Sequence, residues 1–352
     1  MEESDIEQLC NGNNVEEISR ILQNFLQNNE TSTFAFPSLM ENNRRVILWT
    51  ALFQLLQRKE CQLVHAMCLA AIRILSRDKT DLENLLCEKW ITVLIEKAGL
   101  YNITEREAES MVSIKLLEKD ITVEAVKCLC NISFNSEAAR AFCADTDIAQ
   151  SLVARLRIYK DIPFKDDIML FDMKLLFILT ALRHDIRAKI KELHGMDYLI
   201  SCLNEIILEA PLNSENASSS SVMQYFLKDV KHAIACDILK AQFNLIMQSG
   251  PEEAVGEYEE AMFLKLMPII TALLNSQSSS EEKSFDLHNN IANLLTRNMD
   301  ALQSLCSRGC RSQRKYLRQV VLPPLRDVSL PPEKGTALRN QLCRLLTTPV
   351  TS

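Results

Sequence analysis

Arg73 and Arg77 stand four residues apart in CLAAIRILSRD, so a helix there brings both guanidinium groups to one face. The rest of that segment is too apolar to need charge. Two forked donors side by side suit a carboxylate, such as the terminus of another chain. The plainer alternative is an ion pair to a neighbouring helix, with Asp78 or Glu83 as partner. A second set of chemistry-bearing residues consists of amides on apolar faces. They occur in Leu129-Cys130-Asn131-Ile132, Gln242-Phe243-Asn244-Leu245 and Ile291-Ala292-Asn293-Leu294. A buried amide left without a partner costs about 1–3 kcal/mol. Each must therefore tie down the backbone of an adjacent helix or hold the backbone of a bound segment. Phe171, Phe177 and Phe243 accompany these positions; singly they read as core first and as walls of a binding groove second.

Covalent chemistry finds no such foothold. The chain has no GxGxxG, no P-loop, no HExxH and no GxSxG. Its five histidines do not stand at ligand spacing. Cys128-x-Cys130 and Cys306-x3-Cys310 lack a second pair at zinc spacing and read as core thiols. We expect neither an enzyme nor a bound cofactor or metal. Arg308, Arg311, Arg314, Lys315, Arg318 and Arg326 form a basic stretch with one interleaved aromatic, Tyr316. That stretch is either a solvated helix face or a site for an acidic protein segment. It is a poor nucleic-acid platform, because base stacking needs more aromatics.

The elements that must position these residues are helices. Gly 7 and Pro 10 are few for 352 residues, and strands need frequent turns. Hydrophobic content of 47% supports a sizeable core, and a net charge of −7 gives no field toward nucleic acid or anionic lipid. The N-terminal MEESDIEQLC is acidic and does not resemble a signal peptide. The most apolar stretch, Ile168 to Leu182, carries Asp172 and Lys174, which argues against a membrane span. Twelve scattered cysteines then read as reduced, buried, small apolar residues of a cytoplasmic protein.

The periodicity predicts a helix from Asn14, capped through Asn14 and Glu17, and another over Val46 to Leu56. Cys61 to Arg77 is apolar nearly all round and predicts an interior helix. Further helices are predicted from Thr80, over 121–134, over 137–158 with Ser136 as cap, over 166–183 after a break at Pro163, and from Asp185. Beyond the polar loop 213–221 come two longer helices, about 222–248 and 252–275, and a second polar loop at 276–284. Surface helices alternate with all-round apolar ones. The fold class is therefore all-α, an armadillo/HEAT-like α-solenoid whose units bury their faces against one another. We divide the chain into repeats over 1–295 and a rejoined, poorly packed helical segment over 296–352.

Several segments together carry a family resemblance. ILSRD (74–78), VKCLCNI (126–132), FDMKLLFILTALRHDIR (171–187), LKAQFN (239–244), VLPPLRDV (321–328) and LRNQLCRLLT (338–347) resemble synembryn, the resistance-to-inhibitors-of-cholinesterase family. The resemblance runs in order through most of 60–347. It implies a folding chaperone and guanine-nucleotide exchange factor for heterotrimeric G-protein α subunits, GDP-bound or nucleotide-free, acting in the cytoplasm and at the cell cortex. It implies a groove for the C-terminal helix of Gα at Arg73, Arg77, Asn131, Phe171, Phe177, Phe243 and Asn244, with Asn293 added by repeat position. A neuronal calcium-sensor protein is the second partner it suggests. The chain departs from the family after HNNIANLL, where TRNMDALQSLCSRGCRSQ replaces a helical repeat. It departs again after LRNQLCRLLT, where the family continues into another repeat and an acidic tail. The rival reading is a solenoid adaptor without exchange activity.

Overall fold

The computed structural model describes residues 2–29, 34–100, 118–162, 164–209 and 230–246, with the isolated positions 331, 334 and 340. All regular structure among the described residues is helical. None of those helices is long and apolar enough to cross a membrane. The chain forms two compact units, residues 1–193 and 194–352. Asn293, Pro163, Cys306, Cys310, the basic stretch 308–326 and the two polar loops lie outside the described residues.

The first unit contains helices α1 (Glu3–Asn11), α2 (Val15–Asn29), α3 (Pro37–Met40), α4 (Arg44–Gln57), α5 (His65–Leu75), α6 (Leu82–Leu85) and α7 (Glu88–Lys97). It continues with α8 (Lys119–Asn135), α9 (Glu137–Ala144), α10 (Ile148–Arg157), α11 (Lys165–Leu182) and α12 (His184–Glu192). Short 3₁₀ turns link several of them. The helices lie in two rows. In one, α2 packs on α5, α5 on α8 and α8 on α11; in the other, α1, α4, α7, α9, α10 and α12 follow one another. Cross-contacts of α4 with α5, α7 with α8 and α11 with α12 join the rows.

Composition explains which helices sit between others. Leu69, Ile72, Leu129, Ile132, Leu175, Leu176 and Leu179 are fully buried, and each such burial contributes about 1.5–3 kcal/mol. These residues belong to α5, α8 and α11, the segments the sequence marks as apolar on nearly all sides. Behind them, the Phe53 ring lies 5.5 Å from Trp49 and 4.7 Å from Trp90, joining α4 to α7.

Two predicted helices are each divided. The segment from Thr80 is broken by extended backbone at Leu86 and Cys87, leaving the one-turn α6 and then α7. The segment 137–158 breaks at Asp145–Asp147. There the Thr146 hydroxyl donates to the Cys143 carbonyl at 2.8 Å, and the same oxygen accepts from Ile148 N at 3.4 Å. Such local side-chain bonds compete with a helical ladder. The Ser136 cap forms, and at Asn14 the amide half of the expected box forms while the Glu17 carboxylate pairs with Arg20 instead. Asn14 Oδ1 accepts from Glu16 N and Glu17 N, while Ser136 Oγ accepts from Ala139 N.

Two buried arginines pin the rows. Arg155 donates to the Ala98 carbonyl at 2.8 Å and to Asp172 Oδ1 at 2.7 Å, linking α10, the end of α7 and α11. Arg45 donates to the carbonyls of Leu75, Asp78 and Thr80, closing the C-terminal end of α5. Asp78 in turn accepts from Phe36 N at 3.1 Å and Thr80 N at 2.9 Å. Burial pushes the Asp78 carboxyl up, but the bonds from Thr80 and Phe36 and the Arg45 charge together hold it below its usual value.

In the second unit, α13 (Gly195–Glu209) packs against α14 (Val230–Ile246). Leu199 and Leu203 on α13, and Ile234, Ile238 and Leu239 on α14, are fully buried there.

Candidate functional site

The first row of helices presents a shared hollow of about 410 Å³. Four helices line it: Leu26 from α2, Ala66 and Ala70 from α5, Val123, Glu124 and Lys127 from α8, and Asp167 and Phe171 from α11. Small residues on α5 leave the space, and longer charged ones on α8 rim it. The sequence requires this placement. Asp120, Val123, Glu124, Lys127 and Asn131 recur at three- and four-residue intervals, so α8 must show them on one side.

Arg73 leaves α5 beside this hollow, and its Nε donates to Glu124 Oε2 at 2.8 Å. Glu124 Oε1 takes Lys127 Nζ at 2.7 Å. The side chains of Arg73 and Glu124 keep 23% and 16% exposure, so the pair is reachable from solvent. The partner is therefore Glu124, fifty-one residues along the chain, and neither Asp78 nor Glu83. Asp78 serves Arg45. Glu83 instead accepts from Ser136 Oγ at 2.7 Å and Glu137 N at 3.0 Å, anchoring α9.

Asn131 lies next to Arg73 and ties down backbone, its Nδ2 donating to the Arg73 carbonyl at 3.3 Å. Asn135, one turn on, donates to the Ser76 carbonyl at 3.1 Å. These bonds satisfy carbonyls at the end of α5, which the helix itself leaves open. Arg77 is half-buried past that end. Burial, and then the neighbouring Arg73 charge, lower its pKa from the ordinary value. Its guanidinium lies 6.0 Å from the centre of the Phe34 ring.

Phe171 is half-buried on α11, its ring 4.9 Å from Lys127 Nζ, so one face covers the hollow and the other joins the core with Val123, Ile162 and Ile168. Phe177 is half-buried farther along α11. Of these residues Glu124, Lys127 and Phe171 line the hollow; Arg73 meets it through Glu124, and Asn131 and Arg77 lie outside its lining, near the C-terminal end of α5. Phe243 and Asn244 belong to the second unit, where Asn244 is buried in α14 beside the fully buried Gln242.

The residue reading missed Glu124, Lys127 and the ion pair of Lys119 with Asp167 at 2.6 Å. A signal existed: VEAVKCLCN carries Glu124, Lys127 and Asn131 on one helical face. It also missed three exposed aromatics, Phe34, Phe134 and Phe164, the last two 5.7 Å from Lys79 Nζ and 5.5 Å from Lys119 Nζ respectively. Cys128 and Cys130 are core thiols, directed at the carbonyls of Leu69 and Phe171 at 3.0 and 3.5 Å. Among the described residues, no three His, Cys, Asp or Glu side chains converge as metal ligands.

Solved structures share the fold. A designed armadillo repeat protein in complex with a (KR)4 peptide superposes with a TM-score of 0.53 at 15% identity, covering 84% of this chain and 98% of its own. A second designed armadillo repeat protein gives 0.51 at 15% identity. The architecture is an armadillo-like α-solenoid. Among curated proteins, the chain is 32% identical to Chaperone Ric-8A of Danio rerio, over 90% of this chain and 67% of that one. It is 28% identical to Chaperone Ric-8B of Rattus norvegicus, over 94% and 76% respectively. The family profile described as guanine nucleotide exchange factor synembryn matches residues 68–305 and 299–352. With the fold, the relatives and the profile in agreement, the chain belongs to the synembryn family.

Proposed function

We propose that this chain is a chaperone and guanine-nucleotide exchange factor for G-protein α subunits, working by binding and without covalent chemistry. The observation that carries the reading is membership of the family together with a solvent-reachable arginine paired to Glu124 on the wall of a hollow with an apolar floor and charged rim. In this reading the hollow receives the C-terminal helix of Gα. Apolar side chains of that helix rest on Leu26, Ala70 and Phe171, and its terminal carboxylate meets Arg73, with Arg77 supporting it from the end of α5. Asn131 fixes the end of α5 and so holds Arg73 in place. Phe177, and from the second unit Phe243 and Asn244, are candidates for further contacts. Asn293 is retained as a candidate by its place in the repeat pattern.

Exchange then follows from differential affinity. A Gα subunit whose C-terminal helix is held by the solenoid cannot also keep that helix against its nucleotide pocket. The bound state is therefore the open one, and GDP leaves. The same grip steadies a Gα chain that has not finished folding. Its place of work in this reading is the cytoplasm and the cell cortex, with a neuronal calcium-sensor protein as an additional partner.

The test is GDP release from purified Gα, measured with and without this chain, alongside capture of Gα lacking its last residues. Accelerated release and loss of capture on truncation support the reading. Equal capture of both forms with no acceleration favours the adaptor without exchange activity.

A further inference from the structure

In the carboxylate-capture reading Arg73 receives the incoming terminus, yet it already holds a carboxylate. Glu124 bridges Arg73 and Lys127 through its two oxygens, at 2.8 and 2.7 Å. Lys127 is steadied in turn by the Phe171 ring, 4.9 Å from its Nζ. This bridge is too open to be a buried structural node and too enclosed for salt to screen it fully. Glu124 itself lies on the wall of the hollow.

We propose that Glu124 is a resident competitor, occupying on Arg73 the position that the terminal carboxylate of the captured helix takes when bound. The inference rests on the carboxylate-capture reading above and adds to it a determinant of selectivity. Binding is then an exchange of partners. The Arg73–Glu124 contact opens, Arg73 pairs with the incoming carboxylate, and Glu124 keeps Lys127, three residues along on the same face of α8. One contact is lost for each gained, so an isolated anion gains little. A segment that also fills the apolar floor at Ala70 and Phe171 gains the burial and stays. Glu124 thus discriminates against acidic segments in general, because any that takes the Nε edge of Arg73 must displace a carboxylate first.

The test uses a synthetic peptide of the Gα C-terminal helix, as free acid and as C-terminal amide, titrated by fluorescence anisotropy against the full chain. Glu124→Gln raises the ratio of free-acid to amide affinity about three- to five-fold, while amide affinity stays within about two-fold and so reports an intact hollow. Glu124→Asp, which keeps the charge but shortens the reach, raises the ratio part of the way. Asp120→Asn removes an equal charge from the same lining without touching Arg73, and shifts both peptides alike. In an Arg73→Gln background the Glu124→Gln gain disappears. Equal ratios for Glu124→Gln and Asp120→Asn would overturn the proposal in favour of a general field effect. An unchanged ratio in Glu124→Gln, with the amide still bound, refutes the competitor and leaves capture standing. Failure of both peptides to bind the unaltered chain refutes capture and the competitor together.

Discussion

Two arginines in the first unit meet carboxylates at nearly the same distance and do opposite things. Arg155 reaches Asp172 at 2.7 Å with both side chains at 3% exposure or less. Arg73 reaches Glu124 at 2.8 Å with both about a fifth exposed. Arg155 Nη1 also donates to the Ala98 carbonyl, while its buried Nε has no hydrogen-bond partner, and three helices meet at the node. Around Arg73 the pair lies on a hollow that another chain can enter. Chemistry and distance are therefore poor guides to role. Burial decides it, because a desolvated pair cannot exchange partners, whereas a half-solvated one gives up one contact as it gains another.

The comparison breaks most readily at Asp172. Asp172→Ala leaves the Arg155 guanidinium buried without its counter-charge, and we expect the first unit to lose about 3–5 kcal/mol of stability. Urea unfolding followed by tryptophan fluorescence reads this directly, since both tryptophans, Trp49 and Trp90, lie in that unit and flank Phe53. The double variant Arg155→Met/Asp172→Leu recovers most of the loss, because two packed apolar side chains need no ion pair. A single variant as stable as the starting chain would remove the distinction between the two arginines.

A smaller effect belongs to the amide joining the two kinds of site. Asn131→Ala removes one of two side-chain donors to the Arg73 carbonyl and leaves Ser76 Oγ donating to it at 2.8 Å, so the cost in the same unfolding assay is no more than about 1 kcal/mol. It also loosens the end of α5, so peptide affinity falls with it. Asn131→Asp keeps the size but loses the donating NH₂ and is expected to behave like the alanine variant.

These residues also show how far the sequence could be read. All-round apolar segments announce α5, α8 and α11, since a helix with no polar side must lie between neighbours. Asn131 was legible as an amide in need of a partner, and Arg73 as a charge needing an explanation. What each one meets was not legible. Glu124 is fifty-one residues from Arg73, and no local pattern tells which of several carboxylates a distant helix will deliver. Helix breaks were hidden for a different reason. At Asp145–Asp147 a hydroxyl outcompetes the helical ladder by a small margin, and periodicity does not register margins of that size.

The pH response sharpens the comparison on a third buried polar residue. His65 Nε2 faces the carbonyls of Leu55 and Arg58, each at 3.1 Å, and its Nδ1 faces Lys97 Nζ at 3.2 Å. Burial first, then the Lys97 charge, lower its pKa, with the two carbonyls opposing in part. The unfolded chain therefore binds this proton more readily than the folded one. The stabilising contribution is complete above the unfolded value of about 6.5 and is lost progressively as pH falls from there through the lower folded value. Thermal unfolding across pH 5 to 8 is expected to show a loss of stability on the acid side, and His65→Gln to flatten it.

The smallest change in stability is expected where the change in function is largest. Arg73→Ala removes an exposed-edge ion pair, and such pairs contribute about 0–1 kcal/mol. Glu124 does not become an orphan, because Lys127 still holds its other oxygen at 2.7 Å. The unfolding midpoint of the first unit should therefore barely move, in contrast to Asp172→Ala. GDP release from Gα and peptide capture should nevertheless fall about tenfold or more, the loss expected when a desolvated carboxylate forfeits its charged partner. A variant that unfolds as easily as Asp172→Ala would place Arg73 among the structural arginines after all. One that stays folded and still promotes exchange would leave the hollow without its carboxylate receptor.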